Sequence, residues 1–392
     1  MLKGTFRRPW GLVETSSKGV LNVEKGIVNT LDGKGQAGEW LLDPSYMNIV
    51  SGSSFSFGFG NSDTSNFSGS LGIDNFLNLS SNVTVLANFG ININDSFSVT
   101  GSPSSFHPNL TFQTGSSGFV SVGDPSDCSK NITITTSGGS IDLVNVASFF
   151  LQCPSTTINT SGGAIQLNSL ASTSSCYNSG SPPALTINAG TGAVSFNAPY
   201  LSGNSYPIGP IIVNTAGSVR TNNLYINGDL TLTSIPLQIS GGGTPTISTN
   251  GHNISTGSID IASGYTGSLN LIAGPSSTIS IGAVGSTGPL TSFTIASDAA
   301  SHVILSDVTT TGGDISLEPS STFSSASSLT ANGGLVSLAS ATTSGTVVAD
   351  GSISFAADSI ISGTFTAGGG ITSAGSLVLG EQRHLRLHLE LP

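Results

Sequence analysis

The stretch Asn131-Ile-Thr-Ile-Thr-Thr-Ser-Gly138-Gly139-Ser-Ile-Asp-Leu143 decides the fold, because it recurs as Thr157-Ile-Asn-Thr-Ser-Gly162-Gly163-Ala-Ile-Gln-Leu167. The glycine pairs lie 24 residues apart (162 − 138 = 24). Further copies are Leu185-Thr-Ile-Asn-Ala-Gly-Thr-Gly192-Ala-Val-Ser-Phe196, Gly312-Gly313-Asp-Ile-Ser-Leu317, Gly333-Gly334-Leu-Val-Ser-Leu338 and Asp350-Gly351-Ser-Ile-Ser-Phe355. Each unit is a short strand, a glycine turn, and a second strand of apolar–polar–apolar type. Period-2 alternation marks strands with one buried face, and no unit carries a 3.6-residue period. A repeat of roughly 20–50 residues points to stacked units. The pattern predicts an all-β chain folded as a β-solenoid, a parallel β-helix of stacked irregular coils. Insertions at the corners account for the variable offset. A sandwich or barrel of hairpins is the rival, and the few aperiodic Asn-Gly and Asp-Gly signals argue against it.

Composition narrows the partners. Only 8% of the 392 residues are charged, against roughly 25% in an ordinary soluble domain. No run of about 18 uninterrupted apolar residues exists, so the sequence predicts no membrane insertion by a spanning helix. The net charge is −11, and six of the ten cations (Lys3, Arg7, Arg8, Lys18, Lys25, Lys34) precede residue 35. Between Lys34 and Arg383 stand only Lys130 and Arg220, too few to neutralise a phosphate backbone; nucleic acid is excluded as an expected partner.

The order of segments is an irregular basic start (1–10), a strand–turn block (11–50), a loosely repeating solenoid with a Ser/Gly-rich insert (51–127), solenoid coils (128–380), and an atypical tail (381–392) alternating Leu with charge. The tail reads either as an amphipathic strand capping the solenoid or as an artefactual end. The 11–50 block closes on Trp40-Leu41-Leu42-Asp43-Pro44, the densest cluster of large apolar residues. Trp40 reads as a buried ring closing a coil rather than as a ligand platform.

Candidate chemistry is sparse. Asp124 with Asp127 and Asp307 with Asp314 are the nearest carboxylate pairs, and both read as turn clusters with side chains bonded to backbone. Lys130 and Arg220 stand isolated, and His384 and His388 lie in the tail. No catalytic, cofactor-binding or metal-binding residue is assigned, and the chain reads as no enzyme. Thr133/Thr135 and Thr231/Thr233 are Thr-x-Thr pieces, not expected to repeat coil after coil as in a flat threonine lattice. Asn66, Asn78, Asn82, Asn94, Asn109 and Asn131 head Asn-x-Ser/Thr triplets that composition alone produces. Cys128, Cys153 and Cys176 are spaced 25 (153 − 128) and 23 (176 − 153), close to the local repeat, which puts thiols near one another on successive coils. One disulfide in the corner loops is expected, Cys128–Cys153 or Cys153–Cys176, with free inert thiols as the alternative.

Val13-Glu-Thr-Ser-Ser-Lys-Gly-Val-Leu21, Gly26-Ile-Val-Asn-Thr30, Gly35-Gln-Ala-Gly-Glu-Trp-Leu-Leu-Asp-Pro44 and Asn48-Ile-Val-Ser-Gly52 together resemble the repeat region of filamentous haemagglutinin-type exoproteins, the adhesins of Gram-negative two-partner secretion. Ser17 departs mildly from the family's usual glycine, and Asn82–Asn94 is similar to its next coil. The resemblance covers about residues 11–100. It implies a right-handed parallel β-helix, export through a dedicated outer-membrane transporter, and a secreted or cell-surface location. The family's secretion domain is missing and no signal peptide is visible, so the chain is expected to be a truncated passenger piece. The implied function is a non-enzymatic adhesin fragment presenting polar loops to host-cell glycans or proteins. The alternatives are the stalk of a larger haemolysin or toxin and, third, a glycan-active β-helix enzyme.

Overall fold

The computed structural model describes residues 11–16, 30, 38–52, 55–59, 67–124, 127, 129–172, 182–197, 208–297, 302–318, 321–323 and 327–380. The chain divides into two compact units: residues 1–208 with 215–217, and residues 209–214 with 218–392. Each is built mainly from parallel strands.

In the first unit the chain visits three sheets in turn. One contains Leu12–Ser16, Glu39–Asp43, Asn82–Ala87, Leu110–Thr114, Ile141–Asp142, Ile165–Asn168 and Ala193–Asn197. The second contains Tyr46–Val50, Gly90–Ile93, Phe119–Val122, Ser148–Leu151 and Leu170–Ser172. The third contains Phe97–Val99, Ile132–Thr136, Ser155–Asn159 and Ala184–Asn188. In the second unit Ile315–Leu317, Val336–Leu338 and Ser352–Phe355 stack in the same manner. This is a parallel β-helix, each coil adding one strand to each face.

The sequence repeat is the register. Ile134 pairs with Ile158, 24 residues on, and Ile158 with Ile187. Leu317 pairs with Leu338, and Val336 with Ile353. Parallel sheets covered on both faces by helices read as continuous apolar runs. Here only the inner face is covered, so the strands alternate, as in the burial of Ile132, Ile134 and Thr136 against half-exposed Thr133 and Thr135.

The glycine turn has a double cause. Gly162 sits at φ 132°, which side chains disfavour. At Gly163 the φ is ordinary, but a Cβ would meet the Gly139 carbonyl of the neighbouring coil. Thr160, fully buried, donates its hydroxyl to the Gly163 carbonyl and closes the turn from inside; Thr136–Gly139 and Thr310–Gly313 repeat the bond. Other corners are joined coil to coil by side chains. The Asn82 Oδ1 accepts the Asn109 N–H at 3.0 Å, Asn109 Oδ1 accepts the Ser140 N–H at 2.8 Å, and Ser140 Oγ accepts the Ala164 N–H at 3.1 Å.

The Ser/Gly-rich insert departs from coil geometry. Phe67–Gly72 joins Tyr46–Val50 in parallel, then Phe55–Phe59 pairs with it antiparallel, the one antiparallel strand pair among the described residues. The insert thus folds back as a hairpin and adds two strands to the second sheet.

Candidate functional site

Trp40 is 4% exposed and lies between Val13 and Val83 of adjacent coils. Leu42 and Pro44 are also buried, while Leu41 and Asp43 face outward at half exposure. The carboxyl of Asp43 is raised above its ordinary range, first by burial and then by the charge of Glu14.

The carboxylates mostly clamp backbone. Asp307 accepts the Ser328 N–H at 2.7 Å, Asp314 the Leu335 N–H at 2.9 Å, and Asp229 the Asn253 N–H at 2.8 Å. Asp260 takes two such groups, Thr287 at 2.9 Å and Gly288 at 3.1 Å, and Asp358 holds Ser376 at 2.7 Å. Asp124 and Asp127 close a tight turn, with Asp127 N–H donated to the Asp124 carbonyl at 3.0 Å. Hydrogen bonds from the Ser129 hydroxyl and backbone hold the Asp127 carboxyl below its usual range. Lys130 pairs with Asp95 at 3.3 Å, and Arg220 donates to Gln238 at 3.3 Å.

Among the described residues, shallow concavities of about 260, 360 and 470 Å³ occur. The one of about 470 Å³ is lined by Leu12, Glu39, Asn82, Thr84, Asn109 and Thr111. Its one carboxylate, Glu39, accepts the Thr84 hydroxyl, and the Asn82 and Asn109 oxygens already hold backbone N–H groups. Among the described residues no group of three or more His, Cys, Asp or Glu converges as a metal site.

Cys153 lies in the bend between Ser148–Leu151 and Ser155–Asn159. It is free and fully buried, with Sγ 3.1 Å from the Thr156 hydroxyl, and burial pushes its pKa up. That bend is a corner between two strands, and the side chain in it continues the inward parity of Phe149 and Leu151, a signal present in the sequence. Its expected partners Cys128 and Cys176 lie outside the described residues, as do His384 and His388. Thr133, Thr157 and Thr186 do stack on three coils, but the companion column runs Thr135, Asn159, Asn188, so Thr-x-Thr itself does not repeat.

Sequence reasoning missed the outer face of the second sheet of the first unit. Tyr46, Gly90, Phe119 and Ser148 form one column across four strands; Asn48, Asn92, Ser121 and Phe150 form the next. Tyr46 stacks on Phe89 with ring centroids 5.4 Å apart, and Phe119 meets Phe150 at 6.2 Å. The second column is hydrogen-bonded: the Asn92 amide donates to Asn48 Oδ1 at 2.9 Å, and the Ser121 hydroxyl donates to Asn92 Oδ1 at 2.6 Å. No charged residue occurs in these four strands. The aromatic residues come from four different coils, so only the register brings them together.

No protein-family model, curated protein or solved structure matches the chain.

Proposed function

We propose that the chain is a non-enzymatic adhesive segment of a secreted or surface-displayed β-helical exoprotein, exported through an outer-membrane two-partner-secretion transporter. The observation that carries this reading is the outer face of Tyr46–Val50, Gly90–Ile93, Phe119–Val122 and Ser148–Leu151, an uncharged surface of aromatic rings and laterally bonded amides. Its flatness suits extended contact with host glycans or proteins rather than enclosure of a small substrate. The commitment of Asp229, Asp260, Asp307, Asp314 and Asp358 to backbone N–H groups supports the non-enzymatic part: acid–base work on glycosides needs a carboxylate pair facing one groove. A repeating surface gains strength by engaging several weak contacts at once. The test is adhesion of beads coated with the purified chain to host epithelial cells. Saturable attachment, competed by soluble chain, is the expected result; attachment no greater than that of albumin-coated beads refutes the reading.

A further inference from the structure

We propose that the ligand of this aromatic–amide face is a neutral oligosaccharide, lying across the strands with its sugar C–H faces on the rings of Tyr46, Phe89, Phe119 and Phe150; this rests on the adhesive reading and names its partner. The chemistry of the face selects the class. Aromatic rings present a negative π face to weakly positive C–H groups. Phe89 is 42% exposed, and Tyr46, Phe119 and Phe150 are each half-exposed, so ring surface remains open. Between the rings runs a polar column in which half-exposed Asn48 and Asn92 suit hydroxyls, while buried Ser121 bonds Asn92. Its internal bonds use Asn48 Oδ1, one Asn92 amide hydrogen and the Ser121 hydroxyl hydrogen, leaving the Asn48 amide and the second Asn92 hydrogen to donate.

An acidic sugar is disfavoured by charge. Among the described residues of this unit Lys130 is the one Lys or Arg, and it is already paired with Asp95. A purely apolar partner is disfavoured because its docking would bury the half-exposed Asn48 and Asn92 amides without supplying hydrogen-bond partners. Four strands at about 4.8 Å spacing span roughly 14 Å, the reach of a short oligosaccharide.

Gly90 positions the platform. It is the one residue of its column without a side chain, and a Cβ there would stand 2.8 Å from Cζ of Phe119, so that ring lies over the glycine. The backbone fixes the neighbours: Phe89 N–H donates to Ser45 at 2.9 Å, and Phe119 N–H to the Phe89 carbonyl at 3.1 Å.

The test is titration of the full chain with cellopentaose and lacto-N-neotetraose, followed by saturation-transfer NMR and calorimetry, with sialylated lacto-N-neotetraose as the charged control. At least one neutral probe should bind through its C–H protons, without loss from about 0.05 to 0.5 M salt. Tyr46→Leu and Phe119→Leu keep apolar area but remove a ring face; each should weaken binding about tenfold with the circular-dichroism spectrum unchanged. Gly90→Ala should weaken it through the displaced Phe119 ring. Failure of both neutral probes to bind at millimolar concentration, equal binding by the Leu variants, or tighter binding of the sialylated probe overturns the proposal. Bead adhesion run in parallel separates the two readings. Wild-type adhesion retained by both Leu variants removes this face and leaves the adhesin, whereas absent wild-type adhesion removes the adhesin while the titration still decides the face.

Discussion

Replacing Gly163 by alanine isolates the close approach of successive coils from any effect of backbone dihedral. Its φ is not in the left-handed region, so alanine adds no local strain. The added Cβ instead meets the Gly139 carbonyl and stands 2.8 Å from the Gly138 oxygen, all of it backbone that cannot rotate away. The two coils must separate at this corner. Overpacking of this kind costs about 1–3 kcal/mol. Separation also disturbs the buried Thr160 hydroxyl on the Gly163 carbonyl, worth about another 1 kcal/mol. The total is about 2–4 kcal/mol. Gly52 is the control: it sits at φ 89° with nothing within 4 Å of a built Cβ, so alanine there meets dihedral strain alone, about 1 kcal/mol. Urea unfolding followed by far-ultraviolet circular dichroism, with amide exchange of residues 132–197 as a local probe, measures both variants. A Gly163→Ala variant no less stable than Gly52→Ala would refute the account of the glycine corner.

Thr160→Val keeps the shape of a fully buried side chain but leaves the Gly163 carbonyl unpaired, and should cost about 1–3 kcal/mol in the same urea assay. Ile158→Ala opens a cavity in the Ile134–Ile158–Ile187 column and should cost about 2–5 kcal/mol, with exchange protection lost first on the flanking coils. Asp43 has its folded pKa raised, so the folded state holds the extra proton and stability falls as pH rises from the unfolded carboxyl value through the raised one. Asp43→Asn should therefore raise the thermal midpoint slightly at pH 7 and leave it unchanged near pH 3, as scanning calorimetry would show. Cys153 should resist iodoacetamide in the native chain at pH 7.5 and react fully in urea, read by peptide mass spectrometry; rapid native alkylation would contradict its buried position.

Much of the coil register was legible because one physical constraint repeats visibly. A glycine pair recurs where these coils approach backbone to backbone, so Gly138-Gly139 and Gly162-Gly163 announce their own offset, and Ile134 falls opposite Ile158. The second sheet carries no such marker. Phe89 lies in a bend, Tyr46 and Phe119 are 73 residues apart (119 − 46 = 73), and the Asn48–Asn92 and Asn92–Ser121 steps differ in length, so the aromatic face has no period to detect. The hairpin of Phe55–Phe59 was hidden for the opposite reason: its Ser- and Gly-rich surroundings look like loosened coil, yet Phe55–Phe59 alternates as a strand should. For Cys153, spacing pointed to a corner, where it lies between two strands, and the parity of Phe149 and Leu151 pointed to its burial there. Spacing speaks to position along the coil and parity to burial, because burial acts residue by residue.

The low charge content follows from the same stacking. In-register parallel coils place each outward residue directly over its counterpart about 4.8 Å away. Two like charges at that distance repel by about 0.9 kcal/mol even in water, and a charged column repeats the cost at each coil. Columns of Thr, Ser and Asn carry no such cost, and they bond laterally, as Asn48–Asn92–Ser121 and Asn159–Asn188 do. Glu14 and Asp43 lie on paired strands but opposite Leu41 and Ser16, and even out of register the charge of Glu14 adds to burial, the larger cause, in raising the Asp43 pKa. Asp survives best at corners, where a backbone N–H of another coil neutralises it, as at Asp229, Asp307, Asp314 and Asp358. A fold that expels charge from its flat faces in this way leaves rings, hydroxyls and amides as the outward chemistry. Those are the groups that recognise uncharged sugars, so the partner class proposed for the Tyr46–Phe150 face follows from the architecture as well as from the side chains on it.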